Sequence, residues 1–261
     1  MLISILTPTY NRTNFLKLLA IMIYKQSFDL KDVEWILVDD SVTNEQVYFS
    51  NHPLNKLLHK IQYVHLSKKQ TIGYKRNLCK LLAMGDILIH MDDDDYYHCN
   101  YVQLIAYIFS KTSEEVVGAS EIAMIAKDSV CLYKLGPYIK NHSCGGILSY
   151  RREYALQNNY NSERRFGEER DFLKGYHTPL FQIPSAMKYN LVLSHRSNTV
   201  KKEVEKKGTT NFIWIDFVVQ DVDLIMAYLD LYAEHLQDLL QHRRKKLLDI
   251  LRTALQTYQI E

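Results

Sequence analysis

The run Asp92-Asp93-Asp94-Asp95 is the densest chemistry in the chain. Four adjacent carboxylates repel one another, and solvent or a cation must relieve that cost. Hard divalent ions such as Mg²⁺ or Mn²⁺ take oxygen ligands and keep waters and substrate phosphates in their remaining positions. At the end of a buried strand the run reads as a bridge to a diphosphate; in a solvated loop it would be an acidic cap for the next helix. A second acidic cluster, Gly167-Glu168-Glu169-Arg170-Asp171, offers a general base for an acceptor hydroxyl, or the acidic first turn of a helix. In Thr71-Ile72-Gly73-Tyr74-Lys75-Arg76-Asn77 a turn glycine opens a helix with two cations near its N-terminus. Backbone amides and those cations favour an anion there, although a capped surface helix would carry the same residues. Asp39 and Asp40 can accept a hydrogen bond from a base or ribose, or close a turn. Tyr10, beside Asn11 and Arg12, offers a ring to stack on a base or to bury. His195, before Arg196-Ser197-Asn198-Thr199, becomes a ligand candidate only if an acidic metal site lies close by.

These side chains need a scaffold, and the periodicity supplies one. Apolar runs at 2–8, 34–39, 61–66 and 86–91 read as strands. Between and after them, 14–26, a segment from about 44, 73–83 and 100–111 read as helices, the first capped by Thr13 or Asn14. This alternation predicts an α/β fold, an open and largely parallel sheet with helices on both faces. Ligands of such sheets bind beyond the carboxyl ends of the strands. Polar clusters fall at four of those ends, 7–12, 39–41, 67–76 and 92–95, so one rim collects them. The second half is less regular, with strands expected at 121–132, 146–150 and 191–194, a helix at 152–158 and another from 168 to 174. From about 221 to 258 one long helix or a helical hairpin is expected. Ile225, Leu229, Tyr232, Leu236 and Leu239 would form its packing seam. That segment would fold back over the domain, make a homodimer, or touch an anionic membrane surface through the basic cluster 242–246.

Composition narrows the classes. With 47% hydrophobic and 24% charged residues over 261 positions, the chain is globular and long enough for a substantial core. A net charge of +2 is too balanced for a dedicated nucleic-acid binder. Met1 runs into an apolar strand without a basic leader, no stretch approaches the ~18 apolar residues of a membrane span, and the cysteines form no CxxC pair. A cytoplasmic, reduced protein is expected.

Together these pieces resemble the family 2 glycosyltransferases with the GT-A fold, of inverting type. Ile3-Ser4-Ile5-Leu6-Thr7-Pro8-Thr9-Tyr10-Asn11-Arg12 is similar to the family's opening strand and nucleotide loop. Trp35-Ile36-Leu37-Val38-Asp39-Asp40-Ser41 resembles its second strand, and Gly73-Tyr74-Lys75-Arg76-Asn77 its G-x-x-R-N stretch. The segment 85–95 looks like the strand that delivers the DxD motif. Cys144-Gly145-Gly146-Ile147-Leu148-Ser149-Tyr150-Arg151-Arg152 looks like the G-G-x-x-x-x-R-R segment beside the acceptor. Gly167-Glu168-Glu169 stands where the family has G-E-D.

The resemblance covers about residues 1–195. It implies Pro8, Thr9, Tyr10, Arg12, Asp39, Asp40, Gly73, Arg76, Asp92 and Asp93 around a nucleotide-diphosphate sugar. It implies Asp94, with Asp92 and a loosely placed His195, at a Mn²⁺ or Mg²⁺ ion. Glu169 takes the position of the catalytic base, where Asp is usual, with Glu168 and Asp171 as substitutes. The acceptor would be a glycan, lipid or protein hydroxyl. Residues 1–207 would form the catalytic domain, split into a nucleotide half (1–110) and an acceptor half (111–207), followed by a helical extension (208–261). A nucleotidyltransferase would usually carry a glycine in its first loop, which 8–13 lacks; a non-catalytic nucleotide-sugar-binding or assembly module is the other alternative.

Overall fold

The computed structural model describes residues 1–125 and 132–193. Its first half alternates β1 (Ile3–Thr9), α1 (Thr13–Tyr24), β2 (Val33–Asp39), α2 (Gln46–Ser50), β3 (Lys60–His65), α3 (Ile72–Leu82) and β4 (Ile87–His90). Then come β5 (Tyr96–Tyr97), α4 (Tyr101–Lys111), β6 (Val116–Gly118), β7 (Ile122–Ile125), β8 (Leu132–Leu135), β9 (Ser149–Arg151), α5 (Arg152–Gln157), α6 (Glu169–Phe172), β10 (Phe181–Gln182) and β11 (Asn190–Leu193). Every residue of β1 and β2 is buried, which is why both read as near-continuous apolar runs. Their side chains still alternate. Ile3, Ile5, Trp35, Leu37, Ile87 and Ile89 enter one core with α1 and α4. Leu6, Ile36, Val38 and Leu88 enter a second core with Cys79 of α3 and Tyr154 of α5. Each such buried side chain contributes about 1.5–3 kcal/mol, so the strands are held from both faces.

The large sheet has seven strands in the order β10-β6-β9-β4-β1-β2-β3. β3, β2, β1 and β4 run parallel. β9 is antiparallel to β4 and β6, and β10 pairs parallel with β6. The chain leaves β1 toward β2 and β3 on one side and returns as β4 on the other. At such a switch the connections part and a crevice opens beyond the strand ends. The β1–β4 ladder stops at Leu6–His90 while β1–β2 runs on to Thr9–Asp39. Pro8, with no N–H to offer, lies beyond the last β4 partner.

The second half departs from the expected pattern. Residues 121–132 are not one strand: β7 and β8 are antiparallel, Ile122 opposite Leu135, with 126–131 outside the described residues. These two join β11 and β5 in a separate four-stranded sheet, β5-β11-β7-β8. Gly145–Ile147 forms a 3-10 turn, so the strand expected at 146–150 starts only at Ser149. α6 ends at Phe172, short of 174, because Lys174, Gly175 and Tyr176 all take positive φ. Neither Thr13 nor Asn14 caps α1: Arg12 holds the cap position without a side-chain cap bond, and the Thr13 hydroxyl donates to Glu45. His195, the 207/208 boundary, the 225–239 seam and the 242–246 cluster lie outside the described residues. Among the described residues no helix is long and apolar enough to cross a membrane.

Candidate active site

The aspartate run leaves β4 directly into the crevice, where each member acquires a different environment. Asp93 is buried; it accepts from the Thr9 hydroxyl at 2.5 Å and from Arg12 Nη1 at 2.7 Å. Burial pushes its carboxyl up to about 6 against the pull of Arg12. Asp94 Oδ2 lies 2.8 Å from the same Arg12 nitrogen. Burial opposes the Arg12 charge, but Asp93 and Asp94 outweigh it and raise its pKa. Asp92 receives both terminal nitrogens of Arg76 at 3.0 and 3.1 Å, a bidentate grip.

Arg76 is the hub. Its Nε donates to Glu168 Oε1 at 2.7 Å, so one buried guanidinium joins the end of β4 to the start of α6. Glu168 is itself buried. Glu169, the next residue, lines the cleft, and burial, then the neighbouring Glu168 charge, pushes its carboxyl up to about 7. A carboxylate poised there gives up and takes a proton near neutral pH, as a general base must. Asp171 is held on the surface by Arg164 Nε at 2.6 Å, which lowers its carboxyl, and it is absent from the cleft wall.

On the other flank, Asp40 accepts from Lys75 Nζ at 2.7 Å and from the Gln70 amide at 2.6 Å. Lys75 also donates to the Thr9 carbonyl at 2.7 Å, tying the β1 and β2 ends together. Lys75 and Arg76 are therefore spent on carboxylates inside the protein, and α3 does not offer them together to an anion as its sequence implied. Asp39 accepts from Ser41 and, at 2.7 Å, from the Tyr63 hydroxyl. Tyr10 carries Lys69 Nζ 3.8 Å above its ring. Gly73 has no alternative: a Cβ there would lie 2.0 Å from the Asn161 carbonyl oxygen.

A cleft of about 530 Å³ collects Pro8, Arg12, Arg76, Asp92, Asp93, Asp94, Glu168 and Glu169 from the sequence reading. Thr9, Tyr10, Asp39, Asp40 and Gly73 stand behind or beside that wall and are not part of it. Residues given no role in the sequence reading complete it. Asp95, Tyr138, His142, Arg165 and Phe166 line it, and a Cβ on Gly146 would meet Asp92 and Asp95 at 3.0 Å. Asp95 was visible as one of four aspartates; the rest depend on chain reversals after β8 and before α6 that leave no periodic trace. Hard carboxylate oxygens at this rim suit Mg²⁺ or Mn²⁺. Among the described residues no group of three or more His, Cys, Asp or Glu converges into a protein-only cage. An ion held by Asp94 or Asp92 would need its other ligands from a diphosphate and water, which is how Mg²⁺ commonly sits beside phosphates.

Comparison with known proteins identifies the family and the fold. A family model described as glycosyl transferase family 2 matches residues 4–187. The poly(ribitol-phosphate) beta-N-acetylglucosaminyltransferase TarS of Staphylococcus aureus is 29% identical over 93 residues, a match taking in 36% of this chain but only 16% of TarS. Among solved structures, S. aureus TarS 1-349 in complex with UDP-GlcNAc superposes with a TM-score of 0.62 at 14% identity, covering 98% of this chain and 81% of that one. The mannosyltransferase PcManGT from Pyrobaculum calidifontis, in complex with GDP-Man and Mn²⁺, gives 0.55 at 13% identity, covering 98% and 74%. At these identities the structural likeness is one of fold.

Proposed function

The chain belongs to glycosyl transferase family 2, and we propose that it is a glycosyltransferase that moves a sugar from a nucleoside-diphosphate sugar to a hydroxyl acceptor, with Glu169 as general base. The observation that carries this reading is Glu169 in the cleft wall, its carboxyl pushed up to about 7, beside a Glu168 that Arg76 has already claimed. Glu169 takes the acceptor proton as the hydroxyl oxygen attacks the anomeric carbon; the bond from that carbon to the diphosphate breaks and the diphosphate leaves with the electron pair. One base with direct attack inverts the anomeric carbon. Thr9 and Asp40, outside the cleft wall, act on the nucleotide side through Asp93 and Lys75, which they hold.

Asp94 and Asp92 are the residues that would hold a divalent cation. Bound there, the cation supplies Lewis-acid neutralisation of the charge developing on the leaving diphosphate. Arg12 keeps Asp93 and Asp94 from repelling one another in the free protein. The structural neighbours carry UDP-GlcNAc and GDP-Man, so uridine and guanosine donors are the first to try.

Release of nucleoside diphosphate from a panel of UDP- and GDP-sugars, with Mn²⁺ and saccharide acceptors, tests the reading. Turnover is expected with at least one donor, and Glu169→Gln is expected to lower it by about 10²–10⁴-fold while that donor still binds. Undiminished turnover in Glu169→Gln would remove Glu169 from the base role.

A further inference from the structure

The strand that delivers the aspartates ends on His90, which the proposed chemistry does not touch. Its ring is fully buried. Nδ1 lies 2.8 Å from Arg76 Nη1. A guanidinium has only donors, so Nδ1 carries no proton and accepts. The neutral ring then has its proton on Nε2, where the hydroxyls of Tyr150 and Tyr160 stand at 3.0 and 2.9 Å. The tyrosines are fixed in turn, because Tyr160 stacks flat on Phe172 of α6 at 4.1 Å and Tyr150 packs on the same ring at 4.7 Å.

Arg76 therefore uses Nε for Glu168, Nη1 for His90 and Asp92, and Nη2 for Asp92. His90 is the neutral member of this set. Asp92 holds the guanidinium by its two terminal nitrogens and Glu168 by Nε, and the imidazole takes the remaining Nη1 direction. Without that acceptor a buried Nη1 proton loses its partner, and the guanidinium can swing toward one carboxylate at the expense of the other.

We propose that His90 is a positioning residue whose Nδ1 fixes the plane of Arg76, so that Asp92 and Glu168 are held together and Glu169 faces the cleft. The proposal rests on the reading of Glu169 as base. It also separates two roles that burial alone confounds, because a histidine that only filled the core would act through shape and the tyrosines.

Two variants and one spectrum test it. His90→Asn keeps an acceptor near the Nδ1 position and gives up the tyrosine contacts. His90→Gln places its polar group near the Nε2 position and gives up the acceptor facing Arg76. Both are measured in the full chain, with thermal unfolding as the check on folding, using the donor turned over in the panel above. His90→Gln is expected to lower kcat by on the order of tenfold or more, with donor KM within about threefold, and His90→Asn to stay within about threefold of the parent kcat. Equal losses, or a worse loss in His90→Asn, would overturn the proposal. Nitrogen-15 NMR of the parent imidazole is expected to find Nε2 protonated and Nδ1 bare. A proton on Nδ1 overturns the proposal whether or not any donor turns over. Failure of every donor alongside the expected ring proton counts instead against the base assignment.

Discussion

A carboxylate works best as a base near neutral pH where its environment has raised its affinity for protons, and Glu169 has such an environment. Burial and Glu168 raise it from 4.5 to about 7, so folding takes up a proton between those values. Stability from this group is fully present below about 4.5 and is lost as pH rises through about 7. Glutamine cannot ionise. The melting temperature of Glu169→Gln is therefore expected to exceed the parent's at pH 8 and to match it near pH 4.5, while parent kcat rises with pH through about 7. A flat difference in melting temperature across that range would mean the carboxyl is not raised. At this scale the sequence made the acidic clusters legible through their spacing and left their partners hidden. Gly167-Glu168-Glu169-Arg170-Asp171 marked three candidate carboxylates, yet only packing divides them into Glu168 claimed by Arg76, Glu169 facing the cleft and Asp171 on the surface with Arg164. His90 and Tyr160 gave no signal because a buried imidazole and a buried phenol look like any core residue until Arg76 is placed against them.

At the scale of elements, the segment leading to Glu169 is buttoned onto α3. Asn77 exchanges two hydrogen bonds with the Tyr160 backbone, at 2.7 and 2.9 Å. Lys80 Nζ reaches the carbonyls of Ala155 and Asn158, both at 2.7 Å, and Thr71 donates to the Ser162 carbonyl. The helix that supplies Arg76 thus also fixes the segment leading to Glu169. Gly73 is where the two backbones come closest. Gly73→Ala would drive a methyl against the Asn161 carbonyl, and is expected to cost about 1–3 kcal/mol of stability and to lower kcat along with it, read by denaturant unfolding and steady-state kinetics. Wild-type stability in Gly73→Ala would mean the contact is loose. The seven-residue buried runs of β1 and β2 and the amphipathic α1, α3 and α4 were readable because their apolar patterns persist for many residues. β5, β6 and β10 span two, three and two residues, too short for any alternation to register. The hairpin of β7 and β8 merged into one expected strand, although Lys127-Asp128-Ser129 separates its two arms in the sequence.

Over the whole molecule, the balance of charge is uneven in a way that bears on the reaction. The chain carries +2 overall, yet the cleft wall holds six carboxylates, Asp92 to Asp95 with Glu168 and Glu169, against Arg12, Arg76 and Arg165. Lys75 adds nothing, since it neutralises Asp40. A diphosphate entering that wall meets a surplus of like charge. Each uncompensated pair at about 6 Å and an effective dielectric near 20 costs about 3 kcal/mol, more than hydrogen bonds to the nucleoside readily offset. On this charge balance the crevice disfavours a diphosphate unless a cation compensates. Nucleoside diphosphate affinity, measured by calorimetry, is expected to fall at least about tenfold when Mn²⁺ is replaced by a chelator, and Asp94→Asn is expected to remove most of that metal dependence while leaving the melting temperature near the parent's. Equal affinity with and without Mn²⁺ would mean that Arg12 turns from Asp93 and Asp94 to the diphosphate, and the divalent ion would then have no place in the mechanism.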